Sequence, residues 1–429
     1  MPIAVLSRTA MCETGERGFS TPSVAWLWLQ ASLVGTFVAL DVVLFVVCWM
    51  STLLAVAWLV GSGGDSQRHE VIPRLLKGSW WGGWLVALGL GGLVLVFGWL
   101  RPSPNPAEAA LIFSIPELIA GIGQWTVAGE NAFLWGSINV WLFWLLVVGF
   151  TWPMGLAPLH RPFVEAFVSA PRGARLVLAG VLLKVGVYGW LRFVVPVFPD
   201  LLRQHADTFT TLVGLSSLLT AALAFGERDW QRRIALATSS SVGLSLIGVM
   251  TQTTEGLTGG PLRVLSHGLT AGLLIWLMPR AGVENLFQAA ANDERCFADE
   301  FSGLKKTPDP VTLRRRRLVR FALFAWIGLP GLSGFVAEFV TPFGLFQHDF
   351  NAAALSLMTS GLIAWTWVRA DREPLDWSQE LWTRRDTFVV ATLVALNVTL
   401  GVAPQFVVNR LQPSLMSLLP IQTEPSGGR

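Results

Sequence analysis

Apolar residues run along this chain in blocks of about 17 to 25, the length a bilayer core demands of a helix, and polar residues collect between the blocks. Runs such as Trp84–Leu100 and Phe388–Leu400 show no alternation of period two. That excludes the strands of a closed barrel and leaves helices, which satisfy their own backbone groups in lipid. The pattern predicts eleven membrane helices, at about 22–40, 41–61, 81–99, 131–152, 177–195, 209–226, 234–252, 264–280, 321–341, 353–368 and 387–407. As one rod the first two would be about 60 Å long, twice the hydrocarbon core. A turn is therefore predicted near Gly35–Asp41. The fold class read here is an all-α polytopic membrane protein.

Composition agrees with the pattern: 52% of residues are hydrophobic and only 14% charged, against roughly 25% charged in soluble domains. Charge adds an orientation. The segments 62–80, 153–176, 227–233, 281–320 and 369–386 together hold 21 Lys or Arg, whereas 100–130, 196–208, 253–263 and 342–352 hold three. Positive charge stays on the cytoplasmic side, so the N-terminus is expected inside and the C-terminus outside, in the inner membrane of the cell. The Arg314–Arg317 run abuts a membrane helix and reads as part of this signal, and nothing supports nucleic-acid binding. The first twenty residues lack the apolar core of a signal peptide. Cys12, Cys48 and Cys296 have no metal spacing, and no GxGxxG, Walker loop or CxxC occurs, so no metal or other cofactor is expected.

Two helices carry breakers. The fourth continues into TWPMGLAPLH with Pro153, Gly155 and Pro158, and the ninth runs FALFAWIGLPGLSGFVAEF with Gly328, Pro330, Gly331 and Gly334. Broken helices in matching places of two halves point to inverted repeats around a path at the membrane midplane. The chain divides accordingly into an N-terminal segment 1–21, a first five-helix repeat 22–195, a second 196–368 with a cytoplasmic linker 281–320, a loop and final helix 369–407, and a tail 408–429. The linker reads as a solvated loop.

Ionisable residues inside the predicted spans are few. Lys184, in VLLKVGVYGWLRF, lies about 10 Å along its helix. A cation there costs about 2.5–3.5 kcal/mol on insertion scales, which favours a position facing the bundle interior or water. Tyr188 shares its face one turn on. Glu338 follows the break of the ninth helix, and His267 lies near the start of the eighth. Lysine, histidine and glutamate so placed make a proton relay. Each also has a structural alternative: a snorkelling lysine, a carboxylate reaching water at a helix end, a histidine satisfied by its neighbours.

The stretch AGVLLKVGVYGWLRFVVPVFPD resembles the lysine helix of the antiporter-like, M-type subunits of respiratory complex I, relatives of Mrp-type cation/proton antiporters. LDVVLFVVCWMS, PLHRPFVEAFVSAP, RDWQRRIALATSSSVGLSLIGV, LSHGLTAG and IGLPGLSGFVAEF follow the same family in order, so that the resemblance covers about residues 25–408. It implies two inverted five-helix repeats with extra helices at the ends, of which three that usually come first are missing here. It also implies that Lys184 is the central lysine, His267 the histidine of the HG motif and Glu338 the far acid. His160 matches the histidine of the PLH segment, and Glu165, Tyr188 and Ser241 are secondary candidates for the relay. Ser241 stands where the family has a histidine, as does Phe167, Met50 stands where it has a glutamate, and Pro153 where it has a lysine. The implied path has an intact far half and a degenerate near half.

Three functions follow as expectations. The first is a membrane subunit of a multi-subunit complex that conducts or translocates protons, within a complex I-like, hydrogenase-like or Mrp-like assembly. It would be a subunit without a catalytic site of its own. The second is a paralogue that only scaffolds such a complex. The third is a stand-alone ion/proton antiporter.

Overall fold

The computed structural model describes residues 21–61, 68–100, 112–125, 130–278, 310–373 and 382–418. Cys12, Cys296, most of the linker 281–320 and the ends of the chain lie outside them. Among the described residues the regular structure is helical: α1 (Thr21–Val38), α2 (Val42–Gly61), α3 (Arg68–Leu100), α4 (Ile115–Trp125), α5 (Glu130–Thr151), α6 (Arg161–Ser169), α7 (Arg172–Val197), α8 (Pro199–Gly226), α9 (Trp230–Met250), α10 (Thr254–Leu277), α11 (Pro310–Ile327), α12 (Ser333–His348), α13 (Phe350–Ala370), α14 (Arg384–Val402) and α15 (Gln405–Met416). Seven of these, α2, α3, α5, α7, α8, α9 and α14, contain a segment long and apolar enough to cross a membrane. The protein is an integral membrane protein.

The predicted turn between the first two helices lies at 39–41, where Asp41 accepts a hydrogen bond from the Leu44 N–H at 3.0 Å. Several helices outrun their apolar windows. α3 begins at Arg68, α8 at Pro199 and α10 at Thr254, inside stretches read above as loops. A hydropathy window registers only the segment that suits lipid, whereas the helix continues wherever its backbone bonds do. The predicted final helix stops at Val402, and a separate α15 follows Pro404, a residue whose missing N–H is least costly at the start of a helix.

Both breaks are real. α5 passes into a short 3₁₀ turn, Trp152–Met154, that ends on Gly155 in the left-handed region at φ 67°. Gly328 and Gly331, both at φ 85°, separate α11 from α12, a conformation that glycine adopts without steric cost. α7 is irregular in another way, with two π segments, Leu178–Leu182 and Trp190–Val194, flanking the turn that holds Lys184. π turns recur at functional sites because they redirect side chains and loosen carbonyls.

α9 sits at the centre, packed against α8, α10 and α6. Its buried Thr238, Ser239, Ser240, Ser241 and Ser245 explain how so polar a helix is tolerated there. Thr238 and Ser245 donate back to the carbonyls of Ile234 and Ser241, Ser240 to that of Ser217, and Ser239 to that of Gly155. Hydroxyls that bond to backbone carbonyls remove their own desolvation cost.

Candidate functional site

α10 presents Arg263, Ser266, His267 and Thr270 at spacings of three and four, which puts them on one face. Opposite stand Ser333, Gly334 and Glu338 of α12, with Trp326 of α11 and Ser241 of α9 beside them. A space of about 10 Å³ lies among these groups, lined by Ser241, Arg263, Ser266, His267, Trp326 and Glu338. That is the scale of a single water molecule.

Two polar networks meet there. In one, Arg263 Nη2 lies 2.5 Å from Glu338 Oε1 and donates to Ser360 Oγ at 3.0 Å, while Ser360 donates to Glu338 Oε2 at 2.7 Å. In the other, Ser266 donates to Ser333 at 3.1 Å, and Ser333 and Thr270 donate to Asn397 Oδ1 at 2.6 and 3.1 Å. His267 stands between them, edge-on to the Trp326 ring at 4.7 Å. Neither of its ring nitrogens has a protein partner among the described residues. Arg263, one turn away on the same helix, lines the same space.

Lys184 lies on the other side of α10. Its ammonium is buried and donates to the carbonyl of Ala179, inside the first π segment. It borders a mostly apolar cavity of about 290 Å³ with Phe37, Gly180, Val264, Leu265 and Gly268. His267, Glu338 and Ser241 therefore share one space, and Lys184 borders a different one, on another face of α10.

The remaining candidates are elsewhere. Glu165 is ion-paired with Arg74 at 3.1 Å on a half-exposed surface. His160 precedes α6, outside the candidate spans. Burial, and after it the Arg161 charge, lowers its pKa from the ordinary imidazole value. Tyr188 donates to the Phe37 carbonyl at 3.0 Å and accepts from Arg192. Phe167 is buried against Phe163, ring centres 6.0 Å apart.

Met50 and Pro153 flank neighbouring residues of α3: a Cβ on Gly83 would overlap the Met50 sulfur, and one on Gly82 would come within 3.3 Å of Pro153. Next to them four rings from α2, α5 and α7 interlock. Phe150 lies 5.8 Å from Phe193 and 5.4 Å from Trp49, and Phe45 lies 4.8 Å from Phe193.

Arg263 was missed by the sequence reading, which placed it in an outer loop. It is 3% exposed within α10. The signal was its position four residues before His267. Ser360 and Asn397 gave no signal, since hydroxyls and amides inside membrane helices are commonplace.

A model of the family described as NADH:quinone oxidoreductase/Mrp antiporter, transmembrane, matches residues 39–364. NADH-quinone oxidoreductase subunit M of Rhodobacter capsulatus is 29% identical over 412 residues, which are 92% of this chain and 74% of that protein. Subunit M of Escherichia coli K12 is 27% identical over 88% of this chain and 71% of its own length. Among solved structures, a chain of respiratory complex I from Thermus thermophilus superposes with a TM-score of 0.73 at 24% identity, covering 92% of this chain and 78% of that one. A chain of the Mrp complex from a Dietzia species gives 0.71 at 17% identity, over 94% of this chain and 41% of that one.

Proposed function

This chain belongs to the NADH:quinone oxidoreductase/Mrp antiporter transmembrane family, and from that premise we propose that it is a membrane subunit of a multi-subunit respiratory or ion-transport complex, with its proton-handling groups confined to the far half of the path, from Lys184 onward. Lys184, His267 and Glu338 carry the proton in this reading, and Ser241 lines its way. The near half, where Met50 and Pro153 stand, contributes no carrier. The repeats 22–195 and 196–368, and an N-terminus on the cytoplasmic side, belong to the same reading.

The observation that supports it best is the shared space of His267, Glu338 and Ser241, bordered by buried polar groups, with Lys184 set against Val264 and Gly268 of the same α10. A charge arriving at one of these groups changes the proton affinity of the next, which is how a relay without redox chemistry advances. Dye-reported proton movement in vesicles that contain the native complex tests it. Lys184→Ala, compared with wild type at equal complex assembly, is expected to lose most of the movement. Unchanged movement would reduce Lys184 to a structural group.

One observation favours the scaffold instead. Glu338, the last member of the relay, is already paired with a buried arginine. A proton reaching it has to compete with a guanidinium.

A further inference from the structure

The contacts of Glu338 fix its position and set a donor against each of its oxygens. Oε1 faces Arg263 Nη2 at 2.5 Å, and Oε2 accepts from Ser360 Oγ at 2.7 Å. The same Arg263 nitrogen donates to Ser360 at 3.0 Å, so guanidinium, hydroxyl and carboxylate close a three-membered ring of hydrogen bonds. Both carboxylate oxygens thus face donors, and a proton on Oε1 would meet an N–H of Arg263. Three helices, α10, α12 and α13, supply one member each. The arrangement is therefore set by packing rather than by a flexible surface chain.

Arginine differs from lysine and histidine in that it does not give up its proton in a protein. A carboxylate paired with lysine can exchange its counter-charge for a proton; one paired with arginine keeps the guanidinium until the side chain moves. Nε and Nη1 of Arg263 have no protein partner among the described residues, and the residue borders the same 10 Å³ space as His267.

We propose that Arg263 is a lock on Glu338: it supplies, as a fixed charge, the neutralisation that a mobile proton would otherwise supply. Arg263 is a positioning residue in this account, because it acts through the carboxylate it holds. Only the transport consequence rests on the proton path proposed above. With the lock closed, Glu338 takes no proton from the His267 side, and passage requires the guanidinium to leave it.

Infrared spectroscopy of the purified native complex at neutral pH reads the lock directly, through the carbonyl stretch of a protonated carboxylic acid. In wild type, Glu338→Gln is expected to remove no such band. Arg263→Gln is expected to gain one, which disappears again in the Arg263→Gln/Glu338→Gln double variant, while Arg263→Lys gains none. A Glu338 acid band already present in wild type would overturn the proposal, as would its absence from an assembled Arg263→Gln complex. If Arg263→Gln does not assemble, the yield of complex decides. Removing both charges is expected to restore assembly that either single change loses, because the cost lies in stranding one buried charge. A double variant no better than the worse single one would sink the lock.

Vesicles separate this proposal from the path itself. Arg263→Gln is expected to raise passive proton movement roughly tenfold, within the usual range for coupling between sites. If the infrared result holds and no variant changes proton movement, the lock stands and the path fails. If Lys184→Ala abolishes movement while Arg263→Gln alters neither band nor rate, the path stands and the lock fails.

Discussion

Where α2, α5 and α7 meet, the protein is filled with rings; where α9, α10 and α12 meet, it is filled with hydroxyls, an imidazole and an ion pair. The first contact is made by Phe45, Trp49, Phe150 and Phe193, all 3% exposed or less. The second is made by Ser241, Arg263, Ser266, His267, Ser333 and Glu338. Both regions adjoin a broken helix, so the break alone does not make a region polar. What differs is the demand on the freed groups. In the first region the rings pack closely enough to need no polar partner, apart from the Trp49 indole N–H, which has none among the described residues. In the second, each charge and hydroxyl needs a neighbour, and α10, α12, α13 and α14 each bring one. A region filled with rings needs no counter-charge. One that keeps a carboxylate must hold a counter-charge, and here that charge is Arg263.

The strongest test of the ring-filled region is to hollow it. Phe150→Ala removes the ring that touches Phe45, Trp49 and Phe193. It is expected to cost about 3–5 kcal/mol, read as a lowered melting temperature of the solubilised complex. A change near zero would mean that the rings are not close-packed. Met50→Glu asks the converse question by placing a carboxylate beside Gly83. The expected loss is about 2.5–3.5 kcal/mol, partly recovered when Pro153→Lys is added. If Met50→Glu assembled as wild type, water would have to reach this site.

In the polar region Asn397→Ala strips Ser333 and Thr270 of a shared acceptor. About 1–3 kcal/mol is expected, again as a shift in melting temperature. Asn397→Asp should fare worse than Asn397→Ala, since it buries a charge without a counter-ion. The smallest effect belongs to Arg74→Ala. Its pairs with Glu70 and Glu165 are half-exposed, and such pairs contribute only about 0–1 kcal/mol. A large loss of proton movement in that variant would return Glu165 to the list of carriers.

Much of the architecture is legible one residue at a time. Forty apolar residues with Gly35 and Asp41 near their middle have to turn, and they do so at 39–41. Pro153 with Gly155, and Pro330 between Gly328 and Gly331, mark both breaks, because these residues act on the backbone where they stand. Lys184, His267 and Glu338 stand out for a similar reason: an ionisable group in an apolar run is costly wherever the chain goes. The helix starts at Arg68, Pro199 and Thr254 were not legible, since hydropathy reports a segment's preference for lipid and not the extent of its hydrogen-bonded ladder.

Arg263 shows the limit most clearly. By hydropathy it belongs to the polar stretch before a membrane helix, and in the fold it is buried against Glu338, 75 positions later in the chain. The sequence by itself determined which segments prefer lipid, where the backbone must break and which side chains are costly to bury, because those properties are local. The tertiary structure decided that His267 faces Glu338, that Lys184 lies behind α10 and that an arginine holds the carboxylate. Those facts depend on how each helix is rotated against its neighbours, and only the packing of all of them together sets that rotation.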